Sequence, residues 1–241
     1  MGRAYEVRKA SIQKTGAMKA KLYSMYSREI YEAAKKSGTN LDANVALKRL
    51  VEKARKEQVP FDIINRAIEK VNSGANESYE TVRYEIFGPR GSTLIVDCLT
   101  DNVNRTLSYV RPVLNKNNGK MGVSGSVTHM YEHLCIVRFK GLTEETVLDA
   151  LINNEVDVVD IEVDNDNITI YGEPQDLYKI KEVINSLLPN IEFEVDEIAM
   201  IPKMTVTLEG EDLENFKRMY QMLDEIEDVK DIYQNVANVS D

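Results

Sequence analysis

A chain of 241 residues with a hydrophobic fraction of 43% has room for two or three domains with cores of their own. It holds no apolar run near the length of roughly 18–20 residues that would span a bilayer. The net charge of −10 argues against a simple coat for DNA, but residues 1–75 carry 16 Lys+Arg against 8 Asp+Glu, a balance of +8, and residues 76–241 carry 14 against 32, a balance of −18. Such a split suits a basic module that docks on phosphate while an acidic body is held away from it. The plainer alternative is that the two halves attract each other.

Residues 1–16 are basic and poor in apolar side chains. A first helix is predicted from Ala17 to Lys36, with Met18, Leu22, Met25, Tyr26, Ile30 and Ala33 on its buried face and Gly38 suited to the cap beyond it. A second runs from Asp42 to Glu57 on Leu47, Leu50, Val51 and Ala54. Pro60 breaks the chain, and a third helix follows on Ile64, Ala67, Ile68 and Val71. Ser73 to Asn76 reads as a linker, after which the period changes. Val82, Tyr84 and Ile86 alternate as a strand, Gly88-Pro89-Arg90-Gly91 turns, and Thr93 to Leu99 is a strand apolar enough to lie centrally. A helix is expected from Asn102 to Leu114 with Asp101 as its N-cap. Asn115 to Gly125 is a polar loop, and Val127 to Phe139 is strand again, with a break expected near Glu132 and His133.

Thr143 then caps a helix carrying Val147, Leu148 and Leu151. Val159, Ile161 and Val163 form a strand that turns at Asn165-Asp166-Asn167 into Ile168 and Ile170. Pro174 opens a helix with Leu177, Ile180, Val183, Ile184 and Leu187 inward, and Pro189 stops it. Strands are expected at Ile191–Val195 and Met204–Leu208, a helix on Leu213, Phe216, Tyr220 and Leu223, and a closing strand over Val229–Val236. The order predicts an α+β chain of three domains, one helical and two of split βαβ type, the last inserted into the second. The boundaries are 1–76, then 77–135 together with 204–241, and 136–203 as the insertion.

Lys21, Arg28 and Lys35 recur every seven residues and so share one helix face, off the apolar stripe. Cations about 10 Å apart along such a face can follow a phosphate backbone and release its counterions. Lys14 would extend the row, and Arg3, Arg8, Lys9 and Lys19 add charge nearby. Lys116 and Lys120 lie in the 115–125 loop, which either holds phosphate or merely joins a helix to a strand. Of the tyrosines among these charges, Tyr26 belongs to the core, whereas Tyr5 and Tyr23 are the candidates for stacking on bases. His129 and His133 have the spacing of a helical zinc pair, but as strand residues they stand roughly 13 Å apart, too far for one metal ion. The loop is neither a Walker loop nor a dinucleotide fingerprint. No acid–base pair stands out, so no enzymatic activity, cofactor or small-molecule substrate is expected. Met-Gly-Arg-Ala-Tyr-Glu has no signal-peptide core and Glu6 breaks a myristoylation pattern. Cys98 and Cys135 read as reduced core thiols, and the expected compartment is the cytoplasm.

Several segments carry a resemblance. They are Lys19 to Tyr31, Val59-Pro60 through Ile64-x-Arg66-Ala67-Ile68-Glu69-Lys70, and Tyr79-Glu80 with Arg83-Tyr84-Glu85-x-Phe87-Gly88-Pro89-x-Gly91. Leu99-Thr100-Asp101-Asn102-x-Asn104-Arg105-Thr106 is the most specific, and Lys116 to Gly122 with Gly125-Ser126-Val127 completes the set. Together they resemble the YebC/PmpR family, which includes the mitochondrial translational activator of cytochrome oxidase, and most closely its YeeN-like bacterial branch. The resemblance implies three domains and a cytoplasmic protein without enzymatic activity or cofactor. It further implies a DNA-binding transcriptional regulator or, alternatively, a ribosome-associated translation factor that binds ribosomal RNA and relieves stalling at proline-rich stretches. The family's usual N-terminal tryptophan is replaced around Tyr5, and Gly16 interrupts its alanine- and lysine-rich start. The nucleic-acid-binding candidates are therefore Arg8, Lys9, Lys14, Lys19, Lys21, Arg28, Lys35, Lys116 and Lys120, with nucleic acid as the partner, no membrane, and a monomer favoured.

Overall fold

The computed structural model describes residues 19–239. Three helices come first: α1 (Lys19–Ser37), α2 (Val45–Lys56) and α3 (Phe61–Asn72). They close on Ile30, Ala34, Leu47, Ala54, Ile64 and Ala67, all essentially without solvent contact. From Leu22 onward the register is as the periodicity gives it, with two additions, Tyr31 and Ala34, which are also buried; Ala17 and Met18 lie outside the described residues. Asn44, not Asp42, opens α2. Its side-chain oxygen accepts from Leu47 N at 3.0 Å while its amide nitrogen donates to Ala33 O and Gly38 O, so one residue both caps α2 and ties it to the end of α1.

A first sheet then forms from β1 (Glu80–Phe87), β2 (Thr93–Thr100), β3 (Lys120–Met121) and β8 (Val229–Gln234), in the order β3-β1-β2-β8. Helices α4 (Val103–Lys116) and α7 (Gly210–Asp224) cover one face of it over Leu94, Val96, Cys98, Val110 and Phe216. The second sheet is built entirely from residues 131–202 by β4 (Tyr131–Lys140), β5 (Asp160–Asp164), β6 (Asn167–Gly172) and β7 (Val195–Pro202), in the order β5-β6-β4-β7 and wholly antiparallel. With α5 (Glu144–Asn153) and α6 (Leu177–Leu187) on one face, it runs β-α-β-β-α-β, the split βαβ arrangement. The sheets' other faces meet each other. Ile95 and Tyr233 from the first pack with Leu134, Ile136, Tyr171 and Ala199 from the second, which is why β2 and β4 are apolar on both sides.

Five local expectations are corrected. Asn102 rather than Asp101 caps α4, accepting from Arg105 N at 3.0 Å; Asp101 instead meets the Arg105 side chain. The chain over 127–139 does not break at Glu132. A short turn of 3₁₀ helix at Thr128–Met130 precedes one continuous β4. The strand expected at 191–195 begins only at Val195, because Ile191 and Phe193 turn into the helix-covered core, Phe193 meeting Phe139 edge-on at 6.2 Å. Met204 to Leu208 is not a strand. It makes a single parallel bridge, Val206 with Val236, and Met204 is 79% exposed. Finally, β3 forms inside the segment expected to be loop.

Candidate nucleic-acid interface

Arg8, Lys9 and Lys14 lie outside the described residues, as do Arg3 and Tyr5. Lys19 is exposed in the first turn of α1. The heptad row points elsewhere. Lys21 Nζ donates to the Asp224 carbonyl and carboxylate. Arg28 meets Asp228 at 2.8 Å, Glu227 at 2.5 Å and the Leu99 carbonyl at 3.1 Å, with its side chain only 14% exposed. Lys35 donates to the Glu77 carbonyl. Around the row, Lys230 of the body pairs with Glu29 of α1. Tyr31 donates to Ala75 O and accepts from Glu77 N, which fixes the linker against α1. Thus the row lies on one face as its spacing requires; Lys21 and Arg28 dock on carboxylates of the acidic body, while Lys35 stays exposed beside the linker. Tyr23 is half-buried and packs against the helical core.

The body's socket centres on Asp228, 3% exposed. Its carboxylate accepts from Thr106 Oγ1 at 2.7 Å, Thr100 Oγ1 at 3.3 Å, Arg105 Nη2 at 3.3 Å and Arg28. Burial pushes this carboxyl up, but the Thr106 hydroxyl and the Arg28 and Arg105 guanidiniums outweigh burial and hold it below the usual carboxylate range. The motif running from Leu99 to Thr106 therefore has a structural role. Thr100 and Thr106 present hydroxyls to Asp228, Asn102 caps α4, and Arg105 reaches back to the carboxylate. A second anchor joins α2 to the 131–202 unit, at α6 and the segment before β7. Lys56 Nζ donates to Phe193 O at 2.8 Å and Arg49 lies over the Tyr178 ring at 3.1 Å from its centre.

Lys116 and Lys120 are exposed, one at the end of α4 and one on edge strand β3. The loop beyond them is not slack. Buried Glu85 accepts backbone N–H groups from Gly125 at 2.6 Å, Val127 at 2.5 Å and Thr128 at 2.8 Å, and these bonds overcome the cost of burial to hold its carboxyl below the ordinary range. One signal here was missed in the sequence. Residues 102–131 contain no Asp or Glu at all, in a chain with 40, and they carry Arg105, Arg111, Lys116 and Lys120. These cations are borne on α4 and β3, and of them Arg105 is paired with Asp101 and Asp228.

Two family models account for the chain: the TACO1/YebC protein N-terminal domain over residues 3–74 and the TACO1/YebC second and third domain over 79–236. The chain belongs to the TACO1/YebC family. Family relatives include a "Probable transcriptional regulatory protein" of Vibrio parahaemolyticus, 43% identical over 98% of this chain and 99% of that one. Another of the same description, from Alteromonas mediterranea, is 41% identical over the full length of both. The crystal structure of a conserved hypothetical protein from Aquifex aeolicus superposes with a TM-score of 0.75 at 32% identity, covering 92% of each chain. These relatives are described as probable transcriptional regulatory proteins, and among the described residues no helix is long and apolar enough to cross a membrane.

Proposed function

We propose that the chain is a cytoplasmic regulator of gene expression that acts by binding nucleic acid, as a monomer and without catalysing a reaction. The observation that carries this reading is the carboxylate-free stretch 102–131 with Lys116 and Lys120 exposed upon it. Phosphate neutralisation needs cations open to solvent, and both lysine side chains are exposed. Lys19 and the N-terminal Arg8, Lys9 and Lys14 extend the proposed contact from the helical unit. The working division of the chain is 1–76, 77–130 with 204–241, and 131–203; setting the second boundary at 130 rather than 135 keeps β4 whole.

The relatives' descriptions favour DNA as the target. One observation favours ribosomal RNA: Lys21 and Arg28 of the α1 row that would have followed a regular duplex are docked inward, which leaves cations on a helix end and a short strand, a shape suited to irregular RNA. The experiment is a salt titration of binding to duplex DNA and to structured RNA, beside ribosome co-sedimentation. Lys116→Ala with Lys120→Ala is expected to flatten the log–log slope by about 1.4 to 1.8, at about 0.7–0.9 per phosphate. An unchanged slope on every nucleic acid refutes the assignment of these lysines, and an absence of binding to all of them refutes the function.

A further inference from the structure

The helical unit is joined to the rest of the chain by charge and not by a shared core. Its apolar cluster draws only on residues 22–71, and the three clusters around the two sheets draw only on residues 82–239. A cleft of about 270 Å³ lies along the junction, with Leu22 and Met25 of α1 on one wall and Ile198 and Val229 of the sheets on the other. Across it run ion pairs and hydrogen bonds. Lys21 meets Asp224 at 3.2 Å, Arg28 meets Glu227 and Asp228, Ser24 donates to Glu227 at 2.9 Å, and Lys230 meets Glu29. Two of these partners stand well out in solvent, the Glu227 side chain at 64% exposure and that of Lys230 at 42%. Exposed pairs contribute little each and weaken with salt, and units without a large apolar interface move relative to each other.

The carboxylates that hold α1 also occupy its anion-binding groups. Arg28 meets two carboxylates at once, and the Ser24 hydroxyl joins one of them, a donor set that suits phosphate oxygens equally well. The linker goes with α1, because Tyr31 bonds Ala75 O and Glu77 N while Glu32 accepts from Tyr79 N. The pivot therefore falls between Tyr79 and Glu80, where β1 begins. We propose that the helical unit is a latch. Docked, it commits Lys21 and Arg28 to Asp224, Glu227 and Asp228; swung out on that pivot, it offers both cations to duplex DNA. The even seven-residue spacing of the row argues for a duplex, whose phosphates also recur at a fixed interval. The opening needs no nucleic acid. The DNA half of the inference rests on the proposed function, and adds that the protein's own carboxylates compete with phosphate.

The test compares the full parent chain with Asp224→Asn/Glu227→Gln, which removes two anions facing α1 and leaves Asp228 with its bonds inside the body. Glu209→Gln/Glu214→Gln, towards the other end of α7, makes the same change of net charge on exposed side chains away from α1. Small-angle X-ray scattering should give a radius of gyration that rises with NaCl in the parent and in this control, and that is already raised at low salt in the opened variant. Far-ultraviolet circular dichroism should be the same in all three. Fluorescence anisotropy with a short labelled DNA duplex should show the opened variant binding roughly 5- to 150-fold tighter, the usual span for two coupled equilibria. Its log–log salt slope should be steeper by up to about 1.8, at about 0.9 for each of two phosphates. A radius that does not respond to salt, or that the opened variant shares with the parent throughout, refutes the latch. An opened variant that binds the duplex no better than the control refutes the masking of Lys21 and Arg28; if Lys116→Ala with Lys120→Ala still weakens binding in the same assay, the proposed function survives that failure. Tightening on a single-stranded RNA without tightening on the duplex refutes the choice of DNA. If the chain opens and none of its forms binds any nucleic acid, masking and proposed function fall together.

Discussion

Asp228→Asn removes one charge from the centre of the docking face while keeping the side chain's shape. In the parent, the carboxylate is 3% exposed and receives Arg28 at 2.8 Å, Thr106 at 2.7 Å and Arg105 at 3.3 Å. A hydrogen bond to a charged group is worth about 1.5–3 kcal/mol, and breaking a buried ion pair from one side costs about 3–5 kcal/mol. The lower end applies, because Arg105 is 39% exposed and can return to water, and because the amide oxygen of asparagine still accepts one bond. The expected loss is about 3 kcal/mol, which at about 2–4 °C per kcal/mol for a chain of this size lowers Tm by roughly 6–12 °C. The chain has no tryptophan, so urea unfolding is followed by far-ultraviolet circular dichroism and tyrosine fluorescence. A double-mutant cycle with Arg28→Ala isolates the link between helical unit and body and should show a coupling of about 1–3 kcal/mol. A loss below about 0.5 kcal/mol together with negligible coupling would mean that Arg28 and Asp228 do not hold the units together, and the reasoning about the socket fails.

Asp228 and Glu85 both titrate below the ordinary range in the fold. Their contribution is therefore complete above the unfolded carboxylate pKa, about 4, and is lost as pH falls through the lower folded values. The urea midpoint should decline steeply below about pH 4, and less steeply in Asp228→Asn; an identical acid limb in both would count against the carboxylate's role. Cys98 is pushed up to about 12 by burial and by nearby Asp228, and Cys135 to about 11 chiefly by burial. Neither should react with a thiol reagent at pH 8 in the native chain, and both should react in urea. Prompt labelling without denaturant would show that the core around them opens.

Much of the fold was legible because one face of each element is apolar at a regular period. Ile64 and Ala67 in α3, or Leu94, Val96 and Cys98 in β2, leave no other face to bury. Errors fell where local chemistry allowed two answers. Asp101 and Asn102 are both good caps, and the choice was made by Arg105, whose backbone takes one and whose side chain takes the other. Ile191 and Phe193 alternate like a strand yet serve as plugs for a helix-covered core. The site was harder. The uneven charge of the two halves was plain, but composition cannot say whether a cation faces a foreign phosphate or the chain's own carboxylate. That depends on Asp224, Glu227 and Asp228, which lie about 200 residues from the cations they meet. The carboxylate-free stretch was readable in principle, as a local absence and not as a motif.

The last strand has an implication for synthesis. β8 completes a sheet whose other three strands are made more than 100 residues earlier. During translation the 131–202 unit, being continuous, can close while the β2 edge from Leu94 to Cys98 still shows bare N–H and C=O groups. Asp228 emerges just before β8, so Arg28 waits through 200 residues of elongation for its carboxylate. The fold is sealed from β8 back to its first helix, and a ribosome that pauses before Asp228 would hold a nascent chain whose cationic helix is still uncovered.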